Sequence, residues 1–181
     1  MEELETARLV LRAHSLAHVD AFVRWSVDPE VHHASDDDPL PPTPAQAAAQ
    51  LERWLATPLD SVRRVLFCLR ACGTPIGFGD IAHLDAPNAR AMVGLVIGER
   101  ALWGRGYGRE ALEGLLRLCF ERLALRRIGA QVYATNARSL RLFEGAGFVR
   151  EGLLREHVLK HGAPVDEVAL GLLRREWEAR R

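Results

Sequence analysis

The residues best suited by type and spacing to do chemistry stand between Trp103 and Glu110, W-G-R-G-Y-G-R-E. Gly104, Gly106 and Gly108 alternate there with larger residues, after an apolar run from Ala91 to Ile97 and before an amphipathic one from Ala111 to Leu123. Glycine adopts backbone conformations closed to other residues and lets the chain approach a ligand closely. A helix that begins here presents unpaired N–H groups and a partial positive charge. Arg105 and Arg109 add full charges. The combination predicts an anion site, read as a cradle for the pyrophosphate of a nucleotide-type cofactor. The competing reading is a glycine-rich turn with a solvated basic rim. The spacing is not the G-x-G-x-x-G of a dinucleotide fold, and the Gly-Lys-Ser/Thr of a Walker loop is absent.

The elements that must hold this loop can be read in order. Ala7 to Ala13 alternates as a first strand. Ser15 is the N-cap expected for a helix from Leu16 to about Val27, which Asp28-Pro29 interrupts. Asp28 to Pro44 is rich in proline and reads as a loop or broken helix. Thr43-Pro44 opens a helix that runs to Pro58. Strands are predicted over Arg64–Ala71, Ile76–Leu84 and Ala89–Ile97, an antiparallel meander. The glycine loop and its helix then lead to a strand over Arg127–Ala134, a crossover unit. A short helix from Asn136 to about Gly145 precedes two strands, Phe148–Leu159 and Val165–Leu173, joined by a turn at His161-Gly162-Ala163. The order β-α-α-β-β-β-α-β-α-β-β implies a mixed sheet with helices on both faces.

Composition narrows the function classes. The chain of 181 residues suits one domain over 1–181. Lys plus Arg is 24 and Asp plus Glu is 24, so net charge is zero and nothing demands nucleic acid or an anionic membrane. Cys68, Cys72 and Cys119 fit no zinc spacing and read as reduced thiols, which points weakly to a reducing compartment. No metal site is expected. The acidic start Met1-Glu2-Glu3-Leu4-Glu5 lacks the apolar run of a signal peptide. No stretch approaches 18 consecutive apolar residues, and a cytoplasmic protein is expected.

Four segments in the right order carry a family likeness: T-A-R-L-V-L-R at the start, W-G-R-G-Y-G-R-E-A, N-A-R-S-L-R-L-F-E-G-A-G-F from Asn136 to Phe148, and G-A-P-V-D-E-V-A-L-G-L-L-R-R-E-W from Gly162 to Trp177. The chain resembles the GNAT superfamily of N-acetyltransferases over nearly its whole length, and most closely the ribosomal-protein (RimJ/RimL-like) branch. The resemblance implies an α/β (α+β) fold whose mixed, mostly antiparallel seven-stranded sheet splays between strands four and five, with helices on both faces. It implies acetyl-CoA as cosubstrate, with the pyrophosphate on the backbone from Gly104 through Arg105, Gly106, Tyr107 and Gly108 to Arg109. The pantetheine arm would lie along Val96 and Ile97. Trp103 stands where the superfamily usually has Gln or Arg. A homodimer follows from the habit of the branch, and the partners implied are acetyl-CoA and an amine acceptor.

Transfer of acetyl to an amine requires loss of a proton from the amine, a donor to the thioester oxygen and a proton for the leaving thiolate. A β-bulge near Ile97 would supply the donor. A peptide α-amine of pKa roughly 7.8 is about 14% neutral at pH 7, whereas a lysine side chain is about 0.04% neutral, a penalty near 4.6 kcal/mol. No strong base stands out, which favours an α-amine or another amine of low pKa. The base candidates are His83, Asp80, Glu156 and His157. Strand alternation lets only one of Asp80 and His83, and only one of Glu156 and His157, face the site. Many family members use a Tyr where this chain has Phe143, which cannot donate a proton. Ser139, one helical turn earlier, is the nearest substitute acid. Asn136 caps its helix, and on the resemblance also meets the pantetheine arm, as Phe143 does. Asp166 is read as a hairpin hydrogen-bonding group. Asp36, Asp37 and Asp38 form either a solvated loop or an attractor for a cationic acceptor. The reaction implied is direct transfer to a protein N-terminal α-amine. The alternatives are a small amine, such as an amino sugar antibiotic or a polyamine, and a non-catalytic acyl-CoA-binding module.

Overall fold

The computed structural model describes residues 2–35, 42–56 and 62–180. Asp36, Asp37, Asp38 and Pro58 lie outside them. Eight strands form one sheet, β1 Leu4–Glu5, β2 Leu9–Ala13, β3 Val62–Leu69, β4 Pro75–Asp85, β5 Arg90–Ile97, β6 Arg127–Tyr133, β7 Val149–Lys160 and β8 Ala163–Leu173, in the spatial order β1-β2-β3-β4-β5-β6-β8-β7. The extra strand relative to the seven expected is β1. Two residues show no alternation, but Leu4 is buried opposite Leu11. Only β5 and β6 pair in parallel, as the crossover between them requires.

Among the described residues six helices cover the two faces: α1 Val19–Ser26, α2 Pro29–Ser35, α3 Pro44–Ala56, α4 Tyr107–Arg117, α5 Ala137–Gly145 and α6 Arg174–Glu178. Alternation along β3 divides the core between them. Val65 and Phe67 pack with Leu112, Leu115 and Leu116 of α4. Leu66 and Cys68 pack with Ala21 and Trp25 of α1. Burial of these side chains is the main drive for the layered arrangement.

Local signals explain the helix starts. Thr43 and Gln46 form a reciprocal cap, with Thr43 N donating to Gln46 Oε1 at 2.8 Å and Gln46 N to Thr43 Oγ1 at 3.3 Å. Ser15 makes no such cap; its hydroxyl pairs with His18 Nδ1 at 3.1 Å ahead of a 3-10 turn. The Asp28–Pro44 segment is not wholly loop. Asp28 Oδ1 accepts the Glu30 N–H at 2.9 Å and Pro29 stands first in α2, so the residues that stop one helix start the next. α4 ends in a π-type turn, Leu118–Arg122.

The sheet opens in the middle. β5 and β6 pair only at Arg90–Arg127, Ala91–Ile128 and Met92–Gly129, then diverge. At the last rung a Cβ on Gly129 would come within 2.5 Å of the Met92 sulfur, so the Met92 side chain would have to move to admit one. Beyond it, Val93 to Ile97 keep β4 on one edge and have no strand on the other. The wedge between them is where the site forms.

Candidate active site

A cavity of about 1130 Å³ fills this wedge and runs on between the α1–α3 layer and the sheet. Its walls include Val93 to Ile97 of β5, Gln131 to Tyr133 of β6, and the start of α4. On the open edge of β5, alternate backbone N–H and C=O groups face the cavity without a strand partner. They form a ladder on which an extended amide-bearing arm can pair. The bulge expected near Ile97 takes another form. Gly98 and Glu99 both donate to the Ile76 carbonyl, at 2.9 and 3.1 Å, so their N–H groups point to β4. The spare donors come from the splay instead.

The glycine loop closes one end. Gly104 and Gly106 have φ of 75° and 82°, a left-handed conformation that costs other residues strain. Gly106 is the N-cap of α4, and the first helical bond runs from Glu110 N–H to the Gly106 carbonyl at 3.2 Å. The N–H groups of Gly106, Tyr107, Gly108 and Arg109 precede it, at the positive end of the helix. A Cβ on Gly108 would meet Leu142 Cδ2 at 3.7 Å and Ile97 Cγ1 at 3.8 Å. Gly104, Gly106, Tyr107, Gly108 and Arg109 all line the cavity, whereas Arg105 is exposed and does not. In its place Arg138 lines the site, its guanidinium 4.4 Å over the Trp103 ring. This cradle of glycines, N–H groups and arginines fits a pyrophosphate.

One near and one distant contact hold the loop. Trp103 Nε1 donates to the Ile97 carbonyl at 2.6 Å, tying the loop to the end of β5. Glu110 accepts from Thr6 Oγ1, Arg8 N and Arg8 Nε, each at 2.6 Å. Burial pushes the Glu110 carboxyl up, but these donors outweigh it and hold it below the usual carboxylate range. Arg8 also lies 4.2 Å over the Tyr107 ring and donates to the Arg105 carbonyl at 3.1 Å. The sequence offered T-A-R and Glu110 as separate signals. Nothing local pairs residues about a hundred positions apart.

The proton-handling side is assembled differently. Asn136 is the N-cap of α5, its Oδ1 accepting the Ser139 N–H at 3.0 Å. Asn136, Ser139 and Phe143 line the cavity together. Phe143 is buried and packs edge-to-face on Phe148 at 5.0 Å.

Of the base candidates, Asp80 alone lines the cavity. Alternation holds as far as Ala82: a Cβ on Gly79 would meet Leu115 of α4, so Asp80 points to the opposite, cavity face. The register then shifts between Ala82 and Asp85, where His83 takes a φ of 50° and is exposed. Glu156 is likewise exposed, at φ 51° in a second irregularity between Leu154 and Val158. Its N–H donates to Asp166 Oδ1 at 2.7 Å, which makes Asp166 a hairpin residue. His83 and Glu156 therefore stand apart from the cavity, because bulges break the period on which their placement depended. Burial raises the Asp80 carboxyl above its usual range, while Arg64, at 3.3 Å, pulls it down.

Two residues that the sequence did not single out also enter the cavity. Glu167 of β8 is buried and faces His157 at 3.7 Å. Lys160 donates to the His33 carbonyl at 2.5 Å and lies 4.1 Å over the Tyr133 ring. With His161 Nε2 at 2.9 Å from His33 Nδ1, the β7–β8 turn meets α2 across the cavity mouth. Among the described residues no three His, Cys, Asp or Glu side chains converge as metal ligands. No helix there is long and apolar enough to cross a membrane.

Comparison with known proteins agrees with this geometry. The chain is 32% identical over 178 residues to the uncharacterised N-acetyltransferase p20 of Bacillus licheniformis, covering 98% of this chain and 99% of that one. It is 32% identical over 106 residues, 59% of this chain and 57% of the other, to the putative ribosomal N-acetyltransferase YdaF of Bacillus subtilis (strain 168). Its fold matches a crystal structure of spermidine N-acetyltransferase from Vibrio cholerae in complex with CoA and spermine, with a TM-score of 0.83, 19% identity, and coverage of 96% and 99% of the two chains. A family model described as acetyltransferase (GNAT) domain matches residues 8–149, and with it the splayed sheet and glycine cradle find their explanation: the chain belongs to the GNAT family and is an N-acetyltransferase.

Proposed function

We propose that this protein, acting as one domain in the cytoplasm, transfers acetyl from acetyl-CoA directly to an amine of low pKa, a protein N-terminal α-amine in the first instance. The observation that carries the reading is that one cavity joins the phosphate cradle, the open edge of β5 and the Asp80 carboxyl. Acetyl-CoA supplies the thioester carbonyl that the amine attacks.

The residues divide the work. The N–H groups of Gly106 to Arg109, with Arg109 and Arg138, hold the pyrophosphate. Trp103 fixes this cradle to the end of β5, and Val96 and Ile97 carry the pantetheine arm together with Asn136 and Phe143. An N–H on the open edge of β5 donates to the thioester oxygen. Asp80 takes a proton from the incoming ammonium. Its raised pKa brings it nearer working pH, where a base is most effective. The Ser139 hydroxyl, one turn before Phe143, gives a proton to the leaving thiolate and regains one from the second proton that the attacking nitrogen loses. The amine becomes an amide and the thioester becomes a free thiol, with no acyl-enzyme. The weak base and the ribosomal-type relative support an α-amine over a lysine side chain. The test is release of free CoA thiol with peptides bearing a free or a blocked N-terminus. Release only with the free α-amine is expected; no release with any peptide or amine would leave only an acyl-CoA-binding module.

A further inference from the structure

The cavity continues past Asp80 into a recess walled by aromatic rings. Phe22 and Trp25 of α1, Trp54 of α3 and Phe78 of β4 all line it. The rings meet edge-on and tilted, Phe22–Trp54 at 5.1 Å, Phe22–Phe78 at 5.7 Å and Trp54–Phe78 at 5.7 Å, while Trp25 stacks on Phe78 at 6.4 Å. Phe22 and Trp25 are buried behind, whereas Trp54 and Phe78 are half-buried and keep surface toward the cavity. Asp80 follows Phe78 by two positions, so both side chains leave the same face of β4. A group bound against Phe78 therefore lies beside the carboxyl.

Among the described residues, the Asp80 and Glu167 carboxylates beside this recess each face a basic side chain. Arg64 pairs with Asp80, lies 4.7 Å over the Trp54 ring and donates to the Trp54 carbonyl at 3.0 Å. Glu167 faces His157, and Glu30 stands exposed at the rim. A polycationic acceptor needs a row of carboxylates without cations of their own. An apolar group needs rings and depth, and these the recess has.

We infer that the recess is a subsite for an aryl or other bulky apolar group carried a few bonds from the reacting amine. The acceptor is thus an aryl-alkyl amine, whether the first residue of a peptide or a small molecule. This rests on the reading above, that the Asp80 side of the cavity receives the amine. Burying a phenyl group on such walls raises affinity by about 10- to 100-fold.

The test is calorimetric binding to the protein saturated with CoA, alongside thiol release from acetyl-CoA. The ligands are phenethylamine, a tetrapeptide beginning with Phe, one beginning with Ser, and spermidine. Both aryl ligands should bind at least about tenfold tighter than the other two, and between the two peptides, which share an α-amine, turnover should favour the one beginning with Phe. Trp54→Ala removes one wall far from the cradle and should flatten that ranking at unchanged acetyl-CoA affinity. Phe78→Leu, close in volume, should weaken aryl binding in the same direction, with thermal melts confirming that both variants fold. The Ser-first peptide or spermidine binding as tightly as the aryl ligands would overturn the subsite. So would an unchanged ranking in both variants. Aryl-selective binding without thiol release from any amine would keep the subsite and remove the transferase reading; turnover with the reverse ranking would do the opposite.

Discussion

The two ends of the cavity are built on different principles. Apart from Arg138 of α5, the cradle end comes from one continuous stretch, Ile97 to Glu110, in which strand end, loop and helix start follow each other along the chain. The acceptor end draws on α1, α2, α3, β4 and the β7–β8 hairpin, which meet only through packing. The first end therefore depends on backbone shape, above all the left-handed Gly104 and Gly106, and tolerates a change such as Trp in place of Gln or Arg. The second depends on side chains placed by strand register, and two bulges are enough to remove His83 and Glu156 from it. Contiguous sites can be read from local rules, and composite ones follow the errors of every element that contributes.

Substitutions can break this division, beginning with the acceptor end. Asp80→Asn should lower kcat by about 10²- to 10⁴-fold, the usual worth of a positioned base, with little change in acetyl-CoA affinity. It should also remove one acid limb from the pH–rate profile. Asp80 carries a raised pKa, so in the wild type activity is lost as pH falls through a value above the ordinary Asp range. In the variant only the ionisation of the amine remains. A persisting limb in steady-state profiles would move the base elsewhere.

At the cradle, Gly106→Val should raise the acetyl-CoA KM by about 100-fold, since a β-branched residue is strained at positive φ and crowds the N–H groups. Its kcat at saturation should change little, the mirror image of Asp80→Asn. If both variants lost kcat alone, the division of labour would be wrong.

Smaller effects sharpen the picture. Glu110→Gln removes the charge that gathers Thr6 and Arg8 beneath the loop. With Arg8 45% exposed, the loss should be about 1 kcal/mol, or roughly fivefold in acetyl-CoA affinity. The Glu110 pKa is depressed in the fold, so this support is present above the ordinary Glu range and fades as pH falls through the depressed value. Wild type and variant should therefore converge in thermal stability at acid pH, which calorimetric melts would check. Ser139→Ala should reduce kcat by about tenfold or less, below the usual worth of a positioned acid, because water can also protonate the leaving thiolate. A solvent isotope effect should separate that loss from simple disturbance of the α5 cap, which uses the Ser139 N–H and survives the change.

Most of the sheet was legible because alternation and turn chemistry are local. The meander, the crossover and the Asn136 cap all stand where their signals placed them. β1 was missed because two residues carry no period, and α2 because Asp28-Pro29 was read only as a stop. Glu167 was missed because it neighbours Asp166 in a strand whose cavity face depends on the edge it shares with β6. Arg138, two residues past Asn136, belongs with the cradle only because α5 brings it over Trp103.

By itself, then, the sequence determined most of the elements, their order, and the glycine-rich start of α4, since backbone conformation and helix capping depend on neighbours along the chain. The tertiary structure decided which acid reaches the cavity, what clamps the loop and what walls the acceptor. Those depend on where bulges shift a register and on which side chains, about a hundred residues apart, are brought within hydrogen-bonding distance.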